Sequence, residues 1–497
     1  MTALLGILGI LIAAFVSPCS GFNVSQIPRN KRQYGSYRKR LGAYLQHAES
    51  IYREGYHTFK GGIYRMTTTD GERVMVPNKY LDELKAQPEE KISNKKALVL
   101  AAECRYTGIP VETTFLNHLV RADLTRNLAR INPRLYDEVA RSVKTELPQG
   151  KDWTPVVINE RLLRIVAMVS GNAFLGPDLC RREEYLHASI RYAIDVFAAV
   201  RALKRWPKIL RPVAQYLIPE LGRITDHKKR AKAFFLPVIQ ERRARMKRGE
   251  EVHEDDMLQW MLLKSDSFNI HDDAELALQQ LSLTLASIHS TTVTATQMIY
   301  DIVARPDIIP VLRQEIQSAV QEQGGVMNTQ ALFSMKVLDS VMRESQRMNP
   351  LSMARFSRYV EQPVTLTDGT RIPANVIIEA PFFAITRDPE LYPNPEQFDP
   401  YRFSRLRSGL SHDPIGYKSP EQYQFVAVAK ENLNFGFGRN ACPGRFFAAN
   451  EMKLILARLL LDYDIKMPEG RTERFENIVI AGGIVPDTKK EILIRRV

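Results

Sequence analysis

The sequence predicts a mainly α fold with a small β portion, because three segments have the features of helices and one alternates like a strand. The helical segments are residues 276–300, 334–348 and 446–461. Residues 371–383 alternate around Pro373, as strands and turns do. The chain has 497 residues, of which 44% are hydrophobic and 25% charged, and this is typical of a globular protein with a large core.

The N-terminal segment is uncharged through residue 28, and residues 2–22 are mostly apolar. As a helix, this stretch would be about 32 Å long, close to the roughly 30 Å thickness of bilayer hydrocarbon. Six basic residues follow between positions 29 and 40, which favours a cytoplasmic location for the chain beyond them. We interpret residues 1–22 as a membrane anchor and 23–497 as one catalytic domain. A cleaved secretory peptide is the alternative.

Charge and cysteine content narrow the classes of function. The formal net charge of +13 suits nucleic acid, an anionic membrane surface or an acidic protein partner. Basic residues are spread along the chain and no recognition module is evident, which argues against nucleic acid. The four cysteines are too few and too scattered for a disulfide framework, so a reducing compartment is expected.

The segment 276–300 carries no formal charge and is bounded by helix signals on both sides. Asp272, Asp273 and Glu275 favour a helix start, and Arg305-Pro306 marks its exit. Residues 281–285 alternate like a strand, but the length and the acidic start favour a helix. A membrane span is excluded because too many side chains are polar. We therefore expect a helix buried in protein that lines a polar groove.

Two further patterns lie in the second half of the chain. Within 334–348, Glu344 and Arg347 stand three residues apart, a spacing that usually marks a surface ion pair. The proline-containing segment 394–403 includes Arg402. Farther on, the stretch FGFGRNACPGR places Cys442 in a loop whose glycines allow the backbone to pass close to a bulky group.

Taken in order, these segments resemble the cytochrome P450 family of haem-thiolate monooxygenases. The resemblance makes Glu344 and Arg347 the E-x-x-R pair, joined by Arg402 in a buried network that holds the haem loop. It makes Cys442 the axial ligand of haem b iron, a thiolate that favours O–O cleavage. The loop residues that it places against the haem are Phe435, Gly438, Arg439, Asn440, Cys442 and Gly444.

The loop departs from the family pattern at one position. Asn440 stands where the family usually has an arginine that pairs with a haem propionate. By resemblance, Arg439, Arg358 or Arg126 could compensate: Arg358 lies at about the family's distance for a propionate ligand, and Arg126 lies in a segment resembling the family's third helix.

The central helix departs more strongly. Where the family pattern is A/G-G-x-D/E-T-T, residues 286–291 read ASIHST, so that His289 replaces the acid and Ser290 the alcohol. We take His289, Ser290 and Thr291 as candidate catalytic residues that deliver protons during oxygen activation. The alternative for His289 is a satisfied core histidine. A histidine at this position is similar to that of fungal relatives that oxidise terpenoids and other secondary metabolites.

The resemblance implies a monooxygenase tethered to the endoplasmic reticulum and facing the cytosol. It would oxidise a hydrophobic substrate with electrons from NADPH through cytochrome P450 reductase, with cytochrome b5 as a further candidate partner. Residues 111–116, 190–203 and 478–484 are expected to line the pocket. Two alternatives stay open: a reductase-independent haem-thiolate isomerase or dehydratase, and a non-enzymatic haem carrier or sensor.

Overall fold

The computed structural model describes residues 24–110, 114–251 and 253–497. Helices contain 57% of the residues and strands 11%, which confirms the predicted mainly α fold. In chain order the helices are α1 (Tyr37–Thr58), α2 (Leu81–Ala86), α3 (Asn94–Ala101), α4 (Cys104–Thr107), α5 (Thr114–Leu119), α6 (Thr125–Glu146), α7 (Ile158–Leu175), α8 (Glu183–Lys204), α9 (Arg211–Ala214), α10 (Pro219–Lys247), α11 (Met257–Lys264), α12 (Asp273–Val303), α13 (Ile309–Gln321), α14 (Thr329–Ser334), α15 (Lys336–Met348), α16 (Phe382–Ile385), α17 (Arg402–Arg407) and α18 (Arg445–Asp462). One π-helical turn, Val120–Leu124, joins α5 to α6.

The strands form small sheets at the margins of the helical body. They are β1 (Tyr64–Thr68), β2 (Gly71–Met75), β3 (Ile92–Ser93), β4 (Thr154–Val157), β5 (Arg355–Val360), β6 (Val364–Thr365), β7 (Arg371–Ile372), β8 (Ile377–Ala380), β9 (Tyr463–Lys466), β10 (Asn477–Ile480), β11 (Gly483–Pro486) and β12 (Glu491–Arg496). The largest sheet has the order β1-β2-β8-β5-β3, and β4-β12-β9 form a second. The pairs β10-β11 and β6-β7 are two-stranded.

Helix α12 runs through the centre of the helical body and packs against α7, α8, α10, α15 and α18. Asp272 caps its start by accepting a hydrogen bond from the Ala274 amide at 2.8 Å. Many of its hydroxyls donate back to carbonyls one turn earlier, as Thr292 does to Ile288 at 2.8 Å. These bonds explain how so polar a helix can be buried.

Helices α15 and α18 match the predicted segments to within two residues at each end. Helix α15 has a polar face, yet every residue from Leu338 to Arg347 is buried. The polar face is covered by the coil that precedes α17, as the ion pairs described below show. The predicted strand-and-turn segment 371–383 becomes β7, β8 and the first residues of α16.

The predicted membrane anchor, residues 1–22, lies outside the described ranges and stays a prediction. Across residues 24–110, 114–251 and 253–497, none of the helices has the length and apolar character needed to cross a bilayer.

A buried acid lies between α18 and α7. The Glu451 side chain is fully buried, and its Oε1 accepts a hydrogen bond from the Ser170 hydroxyl at 2.7 Å. Its Oε2 has no partner among the described residues. Burial raises the pKa of Glu451 to about 8, so the carboxyl holds its proton at neutral pH.

The free energy of unfolding should fall as the pH rises, and we expect it to fall less steeply in Glu451→Gln than in wild type. The unfolded carboxyl ionises near its ordinary pKa and the folded one only near pH 8, so Glu451 weakens the fold progressively between these values. The slope is at most about 1.4 kcal/mol per pH unit. Urea unfolding from pH 5 to 8 measures it, with the exposed Glu469→Gln as control. Equal slopes in wild type and Glu451→Gln would contradict the assignment.

Candidate active site

A cavity of about 470 Å³ lies between α12 and the loop that carries Cys442. Its walls come from α5 and the following turn, α12, the connection after α15, the loop 434–444 and the start of α18. Apolar lining residues include Leu116, Leu283, Leu351 and Phe447. The cavity therefore combines an apolar wall, a hydroxyl-bearing helix and one thiol.

The loop that carries Cys442 is held in a tight turn. The Cys442 amide donates to the Phe435 carbonyl at 2.7 Å and closes the turn. Gly436 has φ +78°, and a Cβ there would lie 3.0 Å from the Asn440 carbonyl oxygen. Only glycine suits such a conformation, so this residue fixes where the loop presents its thiol.

The Cys442 side chain lines the cavity and is exposed to it. Desolvation by the surrounding protein raises the pKa of Cys442, and the Gly444 amide together with Arg445 and Arg355 act in the opposite direction. A thiol with amide and guanidinium groups around it suits a metal ligand, because metal coordination removes its proton.

Among the residues that the structure describes, Arg355, at the start of β5, is the one charged side chain that lines the cavity. Its Nε is buried without a hydrogen-bond partner in the described part of the chain. Burial lowers its pKa to about 10, although Cys442 acts in the opposite direction. A guanidinium held away from water without an anion is costly, so the site favours an anionic ligand group. The carboxylates of haem satisfy this requirement, and the thiol of Cys442 suits its iron, so these residues fit the group.

The sequence analysis named Arg358 as a candidate ligand of a haem propionate and did not identify Arg355. The two arginines are three residues apart on β5, and in a regular strand they would lie on opposite faces. Phe356 between them has φ +60°, and the pairing of β5 with β8 shifts register here. The Arg358 side chain is buried away from the cavity, its guanidinium 4.3 Å from the Phe356 ring centroid.

The other two predicted arginines also lie outside the cavity wall. Arg126 is exposed on α6 because it faces solvent on the turn after the cavity-lining Leu124. Arg439 is exposed on the outer side of the loop, where its Nη2 donates to the Gln87 carbonyl at 2.7 Å. Asn440 does line the cavity. The residue that replaces the family's usual arginine is therefore an uncharged polar residue in the cavity wall.

Glu344, Arg347 and Arg402 form one buried cluster. The Arg347 Nε and Nη2 both donate to the Glu344 carboxylate at 2.8 Å, and the Arg402 Nε donates at 3.1 Å. Their side chains are 0%, 3% and 8% exposed, so the pair is not a surface ion pair. Burial alone would raise the pKa of Glu344, but the two arginines hold it below its ordinary value.

The cluster positions the coil that leads toward the cysteine loop. Arg347 donates to the Thr386 and Pro395 carbonyls, each at 2.8 Å. Its guanidinium also lies 5.3 Å from the ring of Tyr392, whose hydroxyl donates to the Glu431 carbonyl at 3.1 Å. A continuous set of contacts therefore runs from α15 to the segment before the cysteine loop.

The predicted catalytic residues of α12 separate into two groups. The Ser290 and Thr291 side chains line the cavity, together with Ser282, Ser287 and Thr294. His289 does not line it, because its Nε2 lies 2.9 Å from the Ile190 carbonyl of α8 and the ring points toward that helix. Burial lowers the pKa of His289, with the backbone contact acting in the opposite direction.

The segments expected to line the pocket contribute little. Leu116 lines the cavity, and residues 111–113 lie outside the described ranges. Residues 190–203 belong to α8 and add nothing to its wall, since α8 packs behind α12. Residues 478–484 belong to the β10–β11 hairpin, where Ile478 and Ile480 are exposed.

Comparison with known proteins gives consistent results. The family model described as cytochrome P450 matches residues 113–493. The chain is 37% identical over 456 residues to cytochrome P450 monooxygenase braC of Annulohypoxylon truncatum, covering 91% of this chain and 89% of that protein. It is 37% identical over 450 residues to cytochrome P450 monooxygenase AN1598 of Emericella nidulans, covering 89% and 82%. Cytochrome P450 monooxygenase ORF5 of Penicillium roqueforti is 33% identical over 455 residues, with 89% and 82% covered.

Replacing Glu344 by alanine should destabilise the protein by about 3–5 kcal/mol, because Arg347 and Arg402 would be buried without an anion. Chemical denaturation measures this change. Glu183→Ala, which removes a 71% exposed carboxylate paired with Arg164, should cost at most about 1 kcal/mol. Equal losses of stability in the two variants would show that the buried cluster stabilises the fold no more than a surface ion pair does.

Replacing Arg355 by glutamine should weaken haem retention by about tenfold or more, the effect of losing a hydrogen bond between charged groups. The haem-to-protein ratio after gel filtration measures it. Arg358→Gln is the matched control, since it removes a buried guanidinium from the same strand outside the cavity. Loss of haem in the control but not in Arg355→Gln would reverse the assignment.

Proposed function

Because the chain belongs to the cytochrome P450 family and is a monooxygenase, we propose that it inserts one oxygen atom from dioxygen into a terpenoid or another hydrophobic secondary metabolite. The observation that carries the proposal is the cavity itself, which brings the Cys442 thiol, the Arg355 guanidinium and an apolar wall together with the hydroxyls of α12. Each of these features corresponds to one requirement of the reaction.

The family implies a haem cofactor, and bound to Cys442 it would supply oxygen activation, since thiolate donation favours O–O cleavage. Cys442 would hold the iron, and Arg355 would pair with a haem carboxylate. Asn440 offers an amide to the same cofactor in place of the usual arginine. Phe435 packs edge-on against Phe425, with ring centroids 5.3 Å apart, and keeps water from the loop behind the thiol.

Ser290 and Thr291 would handle protons inside the cavity. The Ser290 hydroxyl donates to the Ala286 carbonyl at 3.2 Å, so its oxygen lone pairs are free to accept from water. Thr291 follows on the same wall and adds a second hydroxyl. General acid–base assistance of this kind contributes about 10²–10⁴ in rate.

The apolar wall supports a hydrophobic substrate. Leu116, Leu283, Ala286 and Leu351 line the cavity and provide contact area without fixed charge. The hydroxyls of Ser282 and Ser287 on the neighbouring turn can orient one polar group of the substrate. A largely hydrocarbon skeleton with few oxygen atoms suits this lining, and this supports a terpenoid.

We propose that electrons come from NADPH through cytochrome P450 reductase, with cytochrome b5 as a second donor. Arg121, Arg439 and Arg445 line a surface depression behind the cysteine loop, next to Phe446. Arg121 donates to the Arg439 carbonyl at 2.9 Å and stays exposed. A cationic rim of this kind would attract the acidic surface of a flavin domain.

We propose that the enzyme acts at the endoplasmic reticulum membrane with its catalytic domain in the cytosol. The described chain offers support beyond the predicted anchor. Between α8 and α10, Ile209, Val213, Tyr216 and Leu217 are each at least 68% exposed. The exposed Arg205 and Lys208 accompany them, so apolar and basic groups lie together as membrane surfaces require.

The decisive experiment is product analysis with a reductase in a host fed candidate terpenoids. Wild type should give product only with NADPH and reductase. Cys442→Ser should give none and should lose the long-wavelength Soret band of the reduced carbon-monoxide complex. Cys180→Ser, at a buried cysteine outside the cavity, is the control and should keep both.

Turnover without reductase would instead identify a haem-thiolate isomerase or dehydratase. Survival of the band in Cys442→Ser would refute the ligand assignment itself.

A further inference from the structure

His289 occupies a position on α12 that adjoins the cavity without facing it. Ser290 on one side and Ala286 one turn earlier both line the cavity, whereas the imidazole points to α8. The Ile190 carbonyl has no hydrogen, so the imidazole Nε2 must be the donor across the 2.9 Å contact. The N–H of the neutral ring therefore donates to a backbone oxygen.

This contact is the one hydrogen bond between α8 and α12 in the part of the chain that the structure describes. All other contact between the two helices is packing. Helix α8 is itself joined firmly to α10, because the Asp195 carboxylate accepts from Arg223 at 2.7 Å and lies 2.8 Å from the His227 Nε2. The two helices therefore form one unit.

The α8–α10 unit has a second polar contact with α12. Arg243 of α10 donates to Asp273 in the first turn of α12 at 2.6 Å. That contact lies at the end of α12, some sixteen residues from His289, and so about 24 Å along the helix. The unit is thus held at one end of the central helix by an ion pair and near its middle by His289.

We propose that His289 is a positioning residue that holds the cavity-lining turn of α12, with Ala286 and Ser290, in place against the α8–α10 unit, and so sets how tightly the cavity retains its ligand. It acts through Ile190, and the proton path runs through the hydroxyls instead. The inference rests on the proposed function only in taking this cavity as the haem and ligand site. The lowered pKa of His289 is consistent with a neutral donor.

The test uses the haem-loaded protein and 1-phenylimidazole, whose binding to the iron shifts the Soret band and requires no turnover. His289→Phe keeps the ring but lacks the donor, so its dissociation rate should rise by about 2- to 12-fold, the effect of one lost hydrogen bond. His289→Gln keeps an N–H donor at the reach of Nε2 and should stay within about twofold of wild type. His271→Gln, an exposed histidine before α12, is the control and should change nothing.

A second readout separates positioning from proton relay. In the presence of reductase and a substrate that the enzyme oxidises, His289→Gln should form as much product per NADPH consumed as wild type does. The glutamine amide keeps the contact with Ile190 but cannot titrate. Uncoupling in both His289→Gln and His289→Phe, with unchanged dissociation rates, would overturn the proposal in favour of a relay.

Equal dissociation rates in all variants at equal haem content would also overturn it, as would a His289→Gln variant as fast as His289→Phe. If His289→Phe retains no haem, His289→Ala takes its place with the same expectation. The dissociation rate of 1-phenylimidazole can be measured even if no oxygenated product is ever found. Failure of the proposed function and failure of this inference are therefore distinguishable.

Discussion

Glu344 imposes the strictest constraint on this structure, because a carboxylate at 0% exposure is tolerable only with cations fixed against it. Arg347 and Arg402 meet that condition, and each also donates to carbonyls of the coil between α16 and α17. The coil has little regular structure of its own, so these bonds decide its path. Since Tyr392 in that coil also bonds to Glu431, the position of the cysteine loop follows from the same charges.

A second constraint comes from the polar composition of α12. A buried helix with this many hydroxyls must satisfy them internally, and donation to carbonyls one turn earlier does so. Such bonds are available on every face of the helix. One face can therefore present Ser290 and Thr291 to the cavity, while the next turns His289 toward α8 and away from it. Proton handling and helix packing are thus divided between adjacent residues.

Much of the fold followed from the sequence. The central helix was recognisable from its acidic start and length, and α15 and α18 from their periodicity. The burial of α15 was not, because its polar face is covered by a segment 39 to 58 residues later, and periodicity carries no information on such partners. The direction of His289 was equally hidden, since a residue at the margin of a helix face can turn to either side. The tight loop around Cys442 was recognisable because glycine and proline constrain the backbone locally.

The two arginines of β5 have a consequence for how this strand can evolve. Arg355 pairs with Ala380 and Arg358 with Ile378, so β5 accommodates one extra residue between the two arginines. Phe356, at φ +60°, lies in this irregularity and adopts a conformation that side chains seldom adopt. A regularly paired β5 would turn Arg355 to the opposite face of the sheet. Substitutions that favour regular pairing here would therefore remove the cation from the cavity wall without changing position 355.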